Sequence, residues 1–191
     1  MSKGCMTALI VGVILVFVAA IPLMMFVGVR NKLVAQDESV EAAWANVETV
    51  LQRRYDLIPN LVNTVKGFAE QEREVLTEVT RLRSQWGEAG NPSQKAAAAS
   101  QLESALSRLM VVVERYPDLK SNQNFMRLQD ELAGTENRIS VERRRYNEAV
   151  RAYNIAIRRF PNNLIAGLMG LERRTPFEAA AGAETAPTVE F

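Results

Sequence analysis

Residues Val40–Trp86 read VEAAWANVETVLQRRYDLIPNLVNTVKGFAEQEREVLTEVTRLRSQW. Val40, Trp44, Val47, Leu51, Ile58, Leu61, Val65, Phe68, Leu76 and Val79 recur at steps of three, four and seven, which draws one apolar stripe down one side of a helix. At about 1.5 Å per residue an uninterrupted helix of this length runs roughly 70 Å and is not stable alone in water. Other helices must therefore cover the stripe. Two residues interrupt it. Arg54 falls on the seam where an apolar residue is expected, and either takes an acidic or backbone-carbonyl partner or lays its stem on the core with its head in water. Pro59 removes a backbone donor and crowds the preceding turn, which predicts a kink or short break there.

Upstream, Ala8–Val29 holds 22 successive uncharged residues, with Lys3 before them and Arg30 and Lys32 after. As a helix they span about 33 Å, enough for a bilayer core of roughly 30 Å. Val18-Ala19-Ala20 resembles a signal-peptidase site, but the apolar run continues past it through Val27, which favours an uncleaved single-pass anchor. Flanking cations lean slightly toward a cytoplasmic C-terminal domain. Arg30–Gln36 contains neither Gly nor Pro, so the anchor is expected to run directly into the following helix.

Downstream, Asn91 and Pro92 supply an N-cap and first-turn proline for a second helix to about Arg115, with Leu102, Leu106, Leu109, Met110 and Val113 inward. Tyr116–Lys120 is a turn. A third helix carries Phe125, Leu128, Leu132, Thr135, Ile139, Tyr146, Ala149, Val150, Tyr153, Ile157 and Phe160 on a seam that ends at Pro161. Leu164–Leu171 forms a short apolar segment, and the tail from Thr175 lacks periodicity, which predicts disorder. The expected architecture is all-α: an N-terminal transmembrane helix (1–29), an antiparallel bundle of three long helices plus a short fourth (30–172), and a disordered tail (173–191).

Composition narrows the chemistry. There is no histidine, so the commonest general base and metal ligand are missing. The single cysteine, Cys5, precedes the apolar run and forms no recognisable pair or dyad. With 23 Lys and Arg against 22 Asp and Glu, the chain has no global attraction to nucleic acid. Glu114, Asp118, Asp130, Glu131 and Glu136 lack metal-ligand spacing, and no phosphate loop or nucleophile motif is present. No catalytic residue, cofactor, metal, nucleic acid or small-molecule substrate is expected.

Two features of the third helix stand out. Arg143, Arg144, Arg151, Arg158 and Arg159 make a basic face suited to carboxylates, phosphates or anionic lipid heads, or else a solvated face balanced by Glu70, Glu72, Glu74 and Glu78. Tyr146-Asn147 recurs as Tyr153-Asn154 on the same face, which with Arg54 suggests a polar layer fixing helix register; a small-ligand site is the other reading.

Three strings, RRYDLIPNLVNTVKGF (Arg53–Phe68), VVVERYPDLKSNQNFMRLQDELAGTENRIS (Val111–Ser140) and YNEAVRAYNIAIRRFPNNLIAG (Tyr146–Gly167), resemble the LemA family over about Arg30–Gly170. The resemblance implies a bacterial membrane-anchored helical bundle without established enzymatic activity, from a family with a magnetosome-membrane branch, and it brings no catalytic residues. The Ala-rich tail after Glu172 departs from the family pattern. The expected function is a non-catalytic scaffold or assembly protein that self-associates at the bacterial inner membrane. The alternative is a membrane-tethered sensor or adaptor that binds a protein partner or anionic lipid through the arginine face.

Overall fold

The structure, a computed structural model, describes residues 3–177, without the side chains of residues 3–11, 14–16 and 19. It is all-α, with no strand among the described residues: α1 (Lys3–Lys66), α2 (Arg73–Glu88), α3 (Pro92–Val113), α4 (Pro117–Lys120), α5 (Gln123–Ala156) and α6 (Asn162–Leu168). The chain divides into two compact units whose boundaries fall after Glu41, Glu148 and Arg174.

In the unit that begins at Ala42, four helices alternate in direction. On α1 and α5, Trp44 meets Tyr146 and Arg54 meets Glu136, which fixes an antiparallel pair. Tyr55 on α1 stacks on Trp86 near the end of α2, at 4.1 Å between ring centroids. Glu72 at the start of α2 accepts from Arg115 beyond the end of α3, while Lys95 near the start of α3 lies 5.1 Å from the Trp86 ring. Glu103 on α3 pairs with Arg143 on α5. The core holds the expected seams, including Val47, Leu51, Ile58, Leu61, Val65, Val79, Leu102, Leu109, Phe125 and Ile139. Asn91 caps α3 as its sequence predicts, its Oδ1 accepting the Gln94 N–H at 2.9 Å.

The single helix expected over Val40–Trp86 breaks, but not at Pro59. Its interruption is Gly67–Glu72, where the chain reverses and α2 begins. Glycine is the weakest helix former there after proline, and Lys66 closes α1 with a cation suited to the negative end of the helix dipole. The helix passes through Pro59 intact, for a specific reason. The missing proline N–H deprives the Tyr55 carbonyl, four residues earlier, of its helical donor. Arg83 on α2 donates its Nε–H to that carbonyl at 3.2 Å. A neighbouring helix thus satisfies the acceptor that the proline strands.

In the other unit, Leu33 and Val40 on α1 are buried, as are Val150, Tyr153, Ala156 and Ile157. α6 buries Ile165 and Ala166 and leaves Leu164 and Leu168 exposed. From Phe17 to Val27 the described side chains of α1 are apolar and all but the half-buried Ala20 are exposed, Phe17 at 64%, Leu23 at 65% and Met24 at 75%. Among the described residues no helix is long and apolar enough to cross a membrane. The expected span Ala8–Val29 takes part of its apolar length from side chains outside that description. Of the expected disordered tail, residues 178–191 lie outside the described residues, and its first residues are held, as follows.

Candidate functional site

The polar residues of α5 divide by what they touch. Arg54 pairs with Glu136; the two side chains are 11% and 37% exposed, so the seam arginine takes an acidic partner on α5 instead of reaching into water. Its Nε is buried and has no hydrogen-bond partner among the described residues. The adjacent Tyr55 hydroxyl is also buried and unpartnered, and burial pushes its phenol well above the ordinary range despite the nearby Arg54 and Arg143.

Among the described residues, Asn147 and Asn154 bond to no other helix. Each closes on the non-helical length of the chain that follows α6. In the unit containing α2 and α3, the Phe177 N–H donates to Asn147 Oδ1 at 2.7 Å and Asn147 Nδ2 donates to the Phe177 carbonyl at 3.0 Å. The Tyr146 hydroxyl donates to the Thr175 carbonyl at 3.1 Å. The Phe177 ring is buried, stacked on Trp44 at 6.4 Å and covered by the Arg143 guanidinium at 4.2 Å. In the other unit, the Arg174 N–H donates to Asn154 Oδ1 at 3.0 Å and Asn154 Nδ2 donates to the Arg174 carbonyl at 2.8 Å. The Arg174 guanidinium reaches Asp37 on α1 at 2.9 Å and Glu41 at 3.4 Å. Burial, with Asp37 close by, raises the Tyr153 phenol above its usual value. Residues 174–177 form a strap, with Arg174 held by Asn154 in one unit and Thr175 and Phe177 held by Tyr146 and Asn147 in the other. Phe177 is the packing residue that sequence reasoning missed; its only signal is an aromatic at the start of an Ala-rich tail.

The arginine face separates as well. Arg143 is partly buried, shared between Glu103 at 3.4 Å and the Phe177 ring, and so belongs to the packing. Arg144, Arg151, Arg158 and Arg159 are exposed and form no ion pair among the described residues. The glutamates proposed to balance this face are engaged elsewhere or unpaired. Glu70 pairs with Arg73, Glu78 with Arg81, and Glu72 with Arg115 and the Tyr116 hydroxyl, because α2 packs its first turn against the end of α3. Of the five spaced carboxylates, Glu136 binds Arg54 and Glu114 binds Lys120.

What these contacts define is an all-α bundle protein whose polar residues fasten helices and a C-terminal strap. The chain belongs to the LemA family, whose model matches residues 43–191. It is similar to Magnetosome protein MamQ 2 of Paramagnetospirillum magneticum, 29% identical over 81% of this chain and 66% of that protein. Magnetosome protein MamQ of Magnetospirillum gryphiswaldense is 26% identical over the same shares. Protein LemA of Metamycoplasma hominis is 25% identical over 87% of this chain and 78% of its own length. The chain thus spans 66% of the length of the magnetosome relatives it matches.

Proposed function

We propose that this chain is a single-pass protein of the bacterial inner membrane whose helical bundle acts as a non-catalytic assembly element. The observation that carries this reading is the exposed apolar sleeve of α1 from Phe17 to Val27, closed by Arg30 and Lys32. A helix apolar on every side is stable either inside a protein or inside a bilayer, and nothing among the described residues covers this one. The names of the three relatives carry no reaction, which fits a structural role. Self-association follows from confinement: copies held in one membrane plane meet at a raised effective concentration. The domain faces the cytoplasm if the flanking cations set its orientation.

Full-length protein is expected to resist carbonate extraction from membranes, and a chain lacking residues 1–29 is expected to be water-soluble and helical. Release of the intact chain by carbonate ends the membrane reading. The mass of detergent-solubilised protein tests assembly: a discrete oligomer supports it. A monomer that captures a partner supports the adaptor reading instead, which the unpaired Arg144, Arg151, Arg158 and Arg159 favour.

A further inference from the structure

The turn after α5 and the short helix α6 expose an unusual set of side chains. Phe160 is 81% exposed, Leu164 60% and Leu168 80%. α6 packs inward through Ile165 and Ala166, so its own large leucines are the residues left outside. A water-facing helix has the opposite arrangement, apolar inward and polar outward. Beside Phe160 stand Arg158 and Arg159, both exposed, and the chain from Ala149 to Leu171 contains no acidic residue.

The place of this tip in its unit gives the patch a partner. Arg174 binds Asp37 through its guanidinium and Asn154 through its backbone, which sets those two positions side by side. α1 and α5 run antiparallel and each advances about 1.5 Å per residue. Counting from Asn154 opposite Asp37, Ala156 at the end of α5 falls roughly level with Ala35, and the turn bearing Phe160 follows at this end of the helix, whose neighbour α1 leads on through Arg30 into the apolar sleeve. The burial of Leu33 and Ile157 fits that register.

We infer that the Phe160–Leu168 tip is an interfacial docking surface for a bilayer carrying anionic headgroups, with Phe160, Leu164 and Leu168 entering the acyl boundary and Arg158 and Arg159 meeting the phosphates. The inference rests on the membrane-anchor reading above. Aromatic and aliphatic side chains sink into the headgroup–acyl boundary, and arginine matches phosphate oxygens with paired donors. An acidic protein surface would satisfy the arginines but not the three apolar side chains, and a neutral apolar partner would do the reverse. The anionic bilayer satisfies both, and it is continuous with the surface the sleeve already occupies. Each arginine near such a surface favours docking by roughly fivefold, so the pair shifts the docked ratio on the order of 30-fold.

The test uses the full chain with Cys5→Ser and Leu164→Cys, carrying an environment-sensitive fluorophore at the new cysteine. It is reconstituted into vesicles of phosphatidylglycerol with phosphatidylcholine, or of phosphatidylcholine alone. Docking predicts quenching by spin-labelled lipids and protection from aqueous iodide in the anionic vesicles. Both are reduced without phosphatidylglycerol, or with Arg158→Gln and Arg159→Gln, while the melting temperature stays unchanged. Free access of iodide with no lipid quenching, in protein that still resists carbonate, overturns the inference and leaves the anchor standing. Protection from iodide without lipid quenching also overturns it, in favour of a protein–protein contact. Extraction by carbonate removes the anchor reading and this inference together.

Discussion

The repair of Pro59 by Arg83 makes a quantitative prediction. The Tyr55 residue is 2% exposed, so its carbonyl has little recourse to water once the proline has removed its helical donor. Arg83 supplies a cationic N–H at 3.2 Å. A hydrogen bond from a charged donor contributes about 1.5–3 kcal/mol net, and a stranded buried acceptor costs about 1–3 kcal/mol. Arg83→Met keeps the apolar stem and removes the donor, and is expected to cost roughly 2 kcal/mol. Pro59→Ala returns an N–H to the Tyr55 carbonyl and relieves the clash of the ring, up to about 3 kcal/mol of helix preference less about 0.4–1 kcal/mol for the freer unfolded chain.

The discriminating quantity is the coupling between the two changes. In the Pro59→Ala background the carbonyl has its own helical donor, so the cost of Arg83→Met falls to roughly 0.5 kcal/mol and the cycle shows about 1–1.5 kcal/mol of interaction. Urea denaturation of the soluble fragment expected on deleting residues 1–29 reads all four corners. Additivity within about 0.5 kcal/mol would show that the Arg83 contact does not compensate for the proline.

Two further predictions concern the α5 face. Glu136→Ala strands the nearly buried Arg54 guanidinium and should cost about 3 kcal/mol, whereas the double change Arg54→Met with Glu136→Leu should return stability to within about 1 kcal/mol of the original; equal damage from both variants in the same urea assay would refute this. Phe177→Ala should cost about 1–3 kcal/mol, less than the roughly 3–5 kcal/mol of a core phenylalanine because the strap can detach locally. It should also change Trp44 emission and speed hydrogen exchange at the residue 177 amide, and unchanged exchange would mean that the ring does not hold the strap.

The long-range plan of the fold was legible because it rests on periodicity. The Asn91 cap and most of the α1, α3 and α5 seams follow from local rules and the helices obey them, whereas Phe68 and Phe160, expected on the seams, are exposed because each lies in the turn that follows its helix, and the turn expected at Tyr116–Lys120 takes the form of the short helix α4. The break after Lys66 was harder to place. A proline is the louder signal, and its harm is cancelled by a donor 24 residues away in the chain, on α2. Leu82 and Trp86, which lie beyond the last residue of the expected stripe, are buried because the reversal at Gly67–Glu72 turns α2 back on α1. The arginine face was legible in composition only. Whether an arginine is packed, like Arg143, or free, like Arg144 beside it, depends on Glu103 and Phe177, which sit 40 residues before and 34 residues after Arg143.

The Tyr-Asn repeat shows why residue type was a better guide than inferred role. An asparagine side chain carries one amide carbonyl and one amide N–H pair, the same donor and acceptor as a peptide group. That chemistry serves a polar layer between helices equally well, so the sequence alone left the choice open. On the surface of α5 it lets a helix bond to non-helical backbone, which a helix otherwise cannot do because its own peptide groups are already paired. Asn147 and Phe177 exchange two hydrogen bonds, as do Asn154 and Arg174, in the manner of paired strand residues. The neighbouring tyrosines are buried at 5% and 1% exposure, and so anchor the face from which each asparagine projects. The repeat is thus matched to the backbone of the strap and makes no demand on its side chains, except at Phe177, where Trp44 and Arg143 read the ring. The Arg174 guanidinium is held as well, by Asp37 and Glu41, so attachment of the strap depends on the arginine at 174 and the aromatic ring at 177 in addition to its backbone.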